Sequence, residues 1–396
     1  MKRFLAGLVM GWAGPAMAQN MPCHDLPGVV LVPGTTDVKP YLARIAPRLA
    51  THTEPLTIAY LGVGSCTALD YVTGAAALAG TGVYWTGETD ADGKPVEASC
   101  DFVAGDTADL ALSDVTVETC TGSPPAATLH QFPSLIQGFG FVVPPNSTQQ
   151  AITATEAYFV FKFGGEAGRQ VPPWVDPQFI NIRTPASSTQ LLIGLAAGVL
   201  GTQWSANLAT THMGSGALLA AVAAENTTGN AEKTLGILSL QRYDGARDQL
   251  KMLAFQAFDQ CLGAVYPDSS ATALDKRNLR DGHYPIWGYL WAVAPVDAED
   301  APSTEGARRL IGFIGGTEAV NGADPVADAI RAGAVPPCAM AVQRAYDGGP
   351  LTGFEPPASC ACLFDQVATG ATTCAACDDA APCAAGVCRA GLCEAR

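Results

Sequence analysis

The stretch Arg183-Thr184-Pro185-Ala186-Ser187-Ser188-Thr189 decides how this chain is read. Before it, Phe179-Ile180-Asn181-Ile182 is apolar and β-branched, as the end of a buried strand is. After it, the run from Gln190 to Leu200 is apolar enough for a buried helix. The order is strand, tight turn, helix start, with an arginine and the hydroxyls of Ser187, Ser188 and Thr189 in the turn. A helix start presents free N–H groups and a partial positive charge. Hydroxyls placed there cap the helix or donate to an anion. The guanidinium adds a rigid fork of donors suited to an oxyanion. Taken alone, the stretch also fits an ordinary N-cap beside a surface arginine. Its recurrence changes the weighing.

Working outward, Val29 to Val32 reads as a strand, and the turn Pro33-Gly34-Thr35-Thr36-Asp37 follows. A helix comes next, with Val38, Tyr41, Leu42, Ile45 and Leu49 on one face. Leu56 to Leu61 is a second strand, Gly62-Val63-Gly64-Ser65-Cys66 its turn, and a helix begins at Thr67. Asp109 to Asp114 is a third strand ending in Ser113-Asp114. The Gly- and Thr-rich stretch from Thr73 to Asp101 is read as a hairpin insertion that Cys100 and Cys120 are placed to staple, although the sequence leaves the disulfide connectivity open. Ser147 is expected to cap a helix over 149–163. Leu235 to Leu240 and Lys251 to Phe255 are further strands, and 306–333 carries helical patterns. Two long β-rich runs, Phe132 to Val143 and Arg280 to Val293, read as segments crossing between domains. Alternating strands and helices give an α/β fold with a mostly parallel sheet, where ligands bind at the carboxyl ends of strands.

Composition sets the class. The chain has 396 residues, enough for two domains, and 48% hydrophobic against 15% charged residues makes it globular. Net charge is −15, which argues against nucleic acid and anionic membranes as partners. An anionic ligand is still allowed, because backbone dipoles bind anions inside an acidic protein. Met1-Lys2-Arg3, the apolar run from Phe4 to Trp12 and Ala16-Met17-Ala18 form a signal peptide over 1–18, so export to the periplasm or the cell exterior is expected. Thirteen cysteines in an exported chain argue for disulfides and leave one unpaired within the chain. Seven crowd between Cys360 and Cys393. Their spacing from Cys374 onward also suits a metal, but no histidine lies among them, so a disulfide-rich tail nearly free of core residues is expected.

At this point the sequence resembles a family. Gly34-Thr35-Thr36 after the first strand, Gly64-Ser65 after the second and Ser113-Asp114 at the end of the third follow the order of the phosphate-type substrate-binding proteins of ABC importers. So do the Phe-Pro crossing at Gln131-Phe132-Pro133 and the signature Arg183 to Thr189. The resemblance runs from about Val29 to Val293. It implies a two-lobed periplasmic-binding-protein-like fold with two crossing strands. Lobe one would be 25–140 with 284–337, lobe two 141–283, and the cysteine-rich tail 338–396. It also implies an oxyanion site formed by Thr35, Thr36, Ser65, Ser113, Asp114, Arg183, Ser187, Ser188 and Thr189, and an ABC importer membrane complex as partner. Three departures stand out. Ser188 replaces a glycine, Asp37 stands where an aromatic residue is usual, and the insertion between Ser65 and Ser113 is long.

The sequence therefore predicts an exported, non-catalytic protein that captures phosphate or a related oxyanion, with no cofactor. Asp114 accepts a hydrogen bond from hydrogen phosphate and rejects sulfate, which carries no proton at neutral pH. An aspartate capping the next segment is the bland alternative for Asp114. Two other functions compete. One is a secreted or surface interaction protein that has lost the ligand, motivated by Asp37 and the tail. The other is a secreted phosphatase, for which there is little: no Gly-x-Ser-x-Gly elbow is present, and His24, His52, His130, His212 and His283 are scattered.

Overall fold

The computed structural model describes residues 20–394 except 92, 209, 319, 321, 379–381 and 385. The expected signal peptide over 1–18 lies outside the described residues. Among the described residues no helix is long and apolar enough to cross a membrane.

In the first part of the chain, β1 (Val29–Thr35), α1 (Lys39–Ala50), β2 (Thr57–Val63) and α2 (Ser65–Thr73) alternate as the pattern dictates. The hairpin β3 (Gly80–Thr89) and β4 (Pro95–Phe102), then β5 (Ala111–Ser113) and α3 (Val117–Thr121), follow. β6 (Leu129–Val143) is long, and after it come β7 (Ala151–Thr153), α4 (Ala154–Phe163), β8 (Ile180–Arg183) and α5 (Ser188–Ala197). β9 (Thr210–His212), α6 (Ser215–Ala224), β10 (Leu235–Ser239) and α7 (Leu240–Asp244) complete the second alternating set. Two short strands, β11 (Lys251–Met252) and β12 (Ala254–Gln256), and α8 (Arg277–Arg280) precede β13 (Trp287–Pro295). The helices α9 (Glu305–Ile314), α10 (Pro325–Arg331) and α11 (Ala361–Thr369) follow.

The strands lie in the order β4-β3-β2-β1-β5-β13-β6-β10-β8-β9. β1 runs parallel to β2 and β5, and β8 runs parallel to β10 and β9. Between these parallel sets stand two antiparallel neighbours, β13 and β6, paired from Trp287↔Gly138 to Pro295↔Leu129. The upper end of β6 then pairs with β10, from Phe139↔Ser239 to Val142↔Gly236. One strand thus belongs to both halves, and the chain returns through β13. The two crossing segments expected from sequence are these strands.

Each half has its own core. In the first, one cluster is built by Val30, Val32, Tyr41, Leu42, Ile45 and Leu112, and another covers the opposite sheet face with Leu31, Leu61, Leu69 and Ala111. A strand buried on both faces must be apolar throughout, which is why Val29 to Val32 has no alternation. The second half is packed around Phe139, Phe141, Phe161, Ile182, Ile193, Ile237 and Phe255.

Local differences from the sequence reading have local causes. The helix expected over 149–163 begins only at Ala154, because Ala151–Thr153 is taken as a strand by Ala254–Gln256. Its cap is Thr153, in a reciprocal capping box with Glu156, and the Ser147 hydroxyl instead accepts the Gln149 N–H. The expected strand from Arg280 begins only at Trp287, since Gly282 turns the backbone at φ 87°. Cys100 and Cys120 do not staple one insertion: Cys100 pairs with Cys23, and Cys120 with Cys66.

The tail also departs from expectation, since it does hold core residues. Cys360, Leu363 and Phe364 join the core of the second half, and Cys338–Cys360 ties the first residue of the tail, beside Pro337, to the start of α11. Cys362–Cys374, Cys377–Cys388 and Cys383–Cys393 close it. Glu394 accepts the N–H groups of Cys362 and Leu363 at 2.9 and 2.8 Å, so its carboxylate sits on the free donors of the first turn of α11. Cys261 is free and exposed.

Candidate functional site

The turns read from sequence meet where the two halves touch. β1 ends at Thr35, β2 leads through Gly64 to Ser65, and β5 leads into Asp114. From the other half, β8 ends at Arg183 and its turn delivers Ser187, Ser188 and Thr189. The contact is direct, with the Cys66 N–H donating to the Ala186 carbonyl at 3.1 Å. A Cβ on Gly64 would lie 2.8 Å from that carbonyl oxygen, so only glycine allows this approach. The Cys66–Cys120 bridge ties α2, and with it Ser65, to α3.

Asp114 lies at the centre and is fully buried. The hydroxyls of Thr35 and Ser188, one from each half, both donate to its Oδ2 at 2.8 Å. Its own N–H donates to Ser65 Oγ at 3.3 Å. Its Oδ1 is buried and has no partner. Arg183, 1% exposed, is held by its neighbours' backbone. Its Nε donates to the His212 carbonyl at 3.3 Å, and Nη2 to the Met213 carbonyl at 3.0 Å and the Thr36 hydroxyl at 3.4 Å. Its Nη1 is buried without an acceptor.

The fold has a counterpart among solved structures. A Clostridium perfringens structure described as a phosphate ABC transporter substrate-binding protein with bound phosphate matches with a TM-score of 0.51 at 15% identity, over 78% of this chain and 99% of that one. An ABC-type phosphate transport receptor from Vibrio cholerae also matches, with a TM-score of 0.47 at 14% identity, over 78% and 100%. The chain has the two-lobed fold of periplasmic binding proteins. No family model matches it, and no curated protein does.

No side chain caps α2, α5 or α6 at its first turn. Ser188 and Thr189 direct their hydroxyls to Asp114 and Asp37 instead. Ser113 is turned away, donating to the Val115 carbonyl at 2.6 Å. Ser187 is buried at the N-cap position of α5 without a capping hydrogen bond from its side chain.

Asp37 points inward. Thr189 donates to its Oδ2 at 3.2 Å and Ser239 to its Oδ1 at 2.8 Å. Two buried acids therefore share the junction, and burial together with the charge of Asp37 pushes the Asp114 carboxyl up to about 7. The hydrogen bonds from Thr35 and Ser188 and the charge of Arg183 pull the other way. Burial also lowers the pKa of Arg183, against the attraction of both aspartates.

Sequence reasoning missed three members. Ser239 ends β10 before α7, the same strand-to-helix pattern as at Ser65, and was passed over. Ser215 opens α6, and its Oγ accepts Arg242 Nε at 3.1 Å and lies 3.3 Å from Thr36 Oγ1. Arg242 Nη2 also donates to the Thr36 carbonyl at 3.4 Å, which brings a second guanidinium to the junction. Nothing near Arg242 in sequence marks it, because its partners come from two other turns. Asp37 was noticed, but its inward direction is a property of the packed lobes.

Proposed function

We propose that the chain is an exported, non-catalytic solute-binding protein that encloses phosphate or a related oxyanion between its lobes. Lobe one is 25–140 with 284–337, lobe two is 141–283, and 338–396 is an appended tail. One observation carries the reading: Asp114 Oδ1 and Arg183 Nη1, an acceptor and a charged donor, are both buried and both without partners. Buried polar groups are ordinarily paired, so such orphans point to something that pairs them. A protonated oxyanion supplies both needs, with its O–H donated to Asp114 and its charge set against Arg183. Thr35, Thr36, Ser65, Ser187, Ser188 and Thr189 frame it with hydroxyls and with helix starts that no side chain caps, while Ser113 supports the turn from behind. The partner on export is an ABC importer membrane complex.

A second reading has an observation of its own. Asp37 already occupies the hydroxyls of Thr189 and Ser239, as an anionic ligand would. On that reading the junction closes on its own acid and the protein is a secreted or surface interaction module.

Calorimetric titration of the disulfide-intact chain with phosphate, sulfate and arsenate separates the two. The expected outcome is phosphate and arsenate binding, with no heat from sulfate at neutral pH. Arg183→Ala is expected to weaken phosphate by about 100-fold, the size that follows removal of a buried charged partner. No binding of any oxyanion leaves the interaction module.

A further inference from the structure

Behind α5, on the side away from its hydroxyl-bearing first turn, lies an open cavity of about 590 Å³. Its wall is apolar, formed by Leu192, Ala196, Phe255, Phe258 and Trp287, with Arg344 among them. The volume falls within the range of small-molecule sites. An arginine in such a wall needs a reason. The Arg344 guanidinium lies over the Trp287 ring, 3.9 Å from its centre, and the residue is 8% exposed. Its Nη2 donates to the Pro285 carbonyl at 2.9 Å, but its Nε is buried with no acceptor. Asp347 attracts it, yet the Oδ2 of Asp347 already accepts the Thr116 N–H and the Thr119 hydroxyl, both at 2.7 Å.

We propose that this cavity is a second binding site, distinct from the oxyanion junction, that takes a small carboxylic acid with an apolar body. The carboxylate would pair with the Arg344 guanidinium, and the hydrocarbon or ring would lie against Leu192, Phe255 and Phe258. A neutral apolar guest fills the volume but offers the guanidinium no negative charge, whereas an acid suits both the apolar wall and the arginine that lines it. Burial lowers the Arg344 pKa to about 10, which still leaves the group charged at neutral pH. The other ionisable groups on the wall are Asp259 and His283, and His283 Nδ1 donates to Asp281 Oδ1 at 2.9 Å. Asp259 is exposed, so water screens its charge from an entering carboxylate.

The test uses 1-anilinonaphthalene-8-sulfonate as a fluorescent probe on the disulfide-intact chain, competed with octanoate and with octanol. The expected result is one saturable site from which octanoate displaces the probe at least about tenfold more effectively than octanol, as a charge-assisted pair requires. Arg344→Met removes the octanoate advantage and leaves octanol unchanged. Ala196→Trp fills the cavity and abolishes probe binding. Arg183→Ala changes none of this. The comparison of octanoate with octanol on the unaltered chain needs no variant to fold. Equal competition by the two, several equivalents of bound probe, or binding indifferent to Ala196→Trp would overturn the proposal.

Discussion

Between the lobes a carboxylate from one side meets hydroxyls from the other, whereas in the tail sulfur meets sulfur. Asp114 joins Thr35 to Ser188, and Asp37 joins β1 to Thr189 and Ser239, all through hydrogen bonds. The tail is closed by Cys362–Cys374, Cys377–Cys388 and Cys383–Cys393, and its start is tied to α11 by Cys338–Cys360. Hydrogen bonds exchange with water at little net cost, so a junction made of them can part and re-form. A disulfide in an oxidising compartment stays closed. On the proposed reading, the difference separates a surface that parts and closes from a segment that stays closed.

The largest test of this contrast is covalent. Cys338→Ser combined with Cys360→Ser should lower the unfolding free energy by roughly 3 kcal/mol, as loss of a medium-length loop closure does. Denaturant titration measures it. Phosphate affinity should not change, and a parallel loss of affinity would mean that the tail stiffens the junction.

A smaller effect concerns pH. The Asp114 carboxyl is raised from its ordinary value to about 7, so ionising it opposes the closed native state. The stability associated with its neutral form is fully present below about pH 4 and is lost as pH rises through about 7. The thermal midpoint of the ligand-free chain should therefore fall between about pH 5 and pH 8, and Asp114→Asn should flatten that fall. An identical slope in the variant would contradict the assignment.

The smallest effect separates the two acids. Asp37→Asn keeps an acceptor for Thr189 or Ser239 but removes a negative charge from the anion's surroundings. Phosphate should then bind several-fold more tightly by calorimetry. Weaker binding would show that Asp37 serves chiefly to hold the lobes together.

Much of this was legible because its signals are local. Thr35, Ser65, Asp114, Arg183 and Ser188 each follow a recognisable strand end, and a parallel sheet gathers such ends on one edge. Arg242 and Ser215 were not legible, since each acquires meaning from a turn far away in the chain. The pairing of Cys23 with Cys100 and of Cys66 with Cys120 is likewise a fact of distance in space. Ser147 misled for the opposite reason. Its capping signal was genuine, but Ala254–Gln256 captured the following residues as a strand.

The shared strand β6 carries a mechanical consequence. At the crossing, Gly138 faces Trp287 and Gln137 faces Gly288. A Cβ on Gly138 would come within 2.3 Å of Leu240, and one on Gly288 within 2.7 Å of the Asp114 carbonyl oxygen. The pivot is therefore pinched between the two bodies, with side chains omitted where they press closest. Two-stranded ribbons accept more twist than wide sheets. On the proposed reading, parting the lobes loads β6 and β13 as a torsion bar, whose stiffness sets the work that a ligand does in closing them.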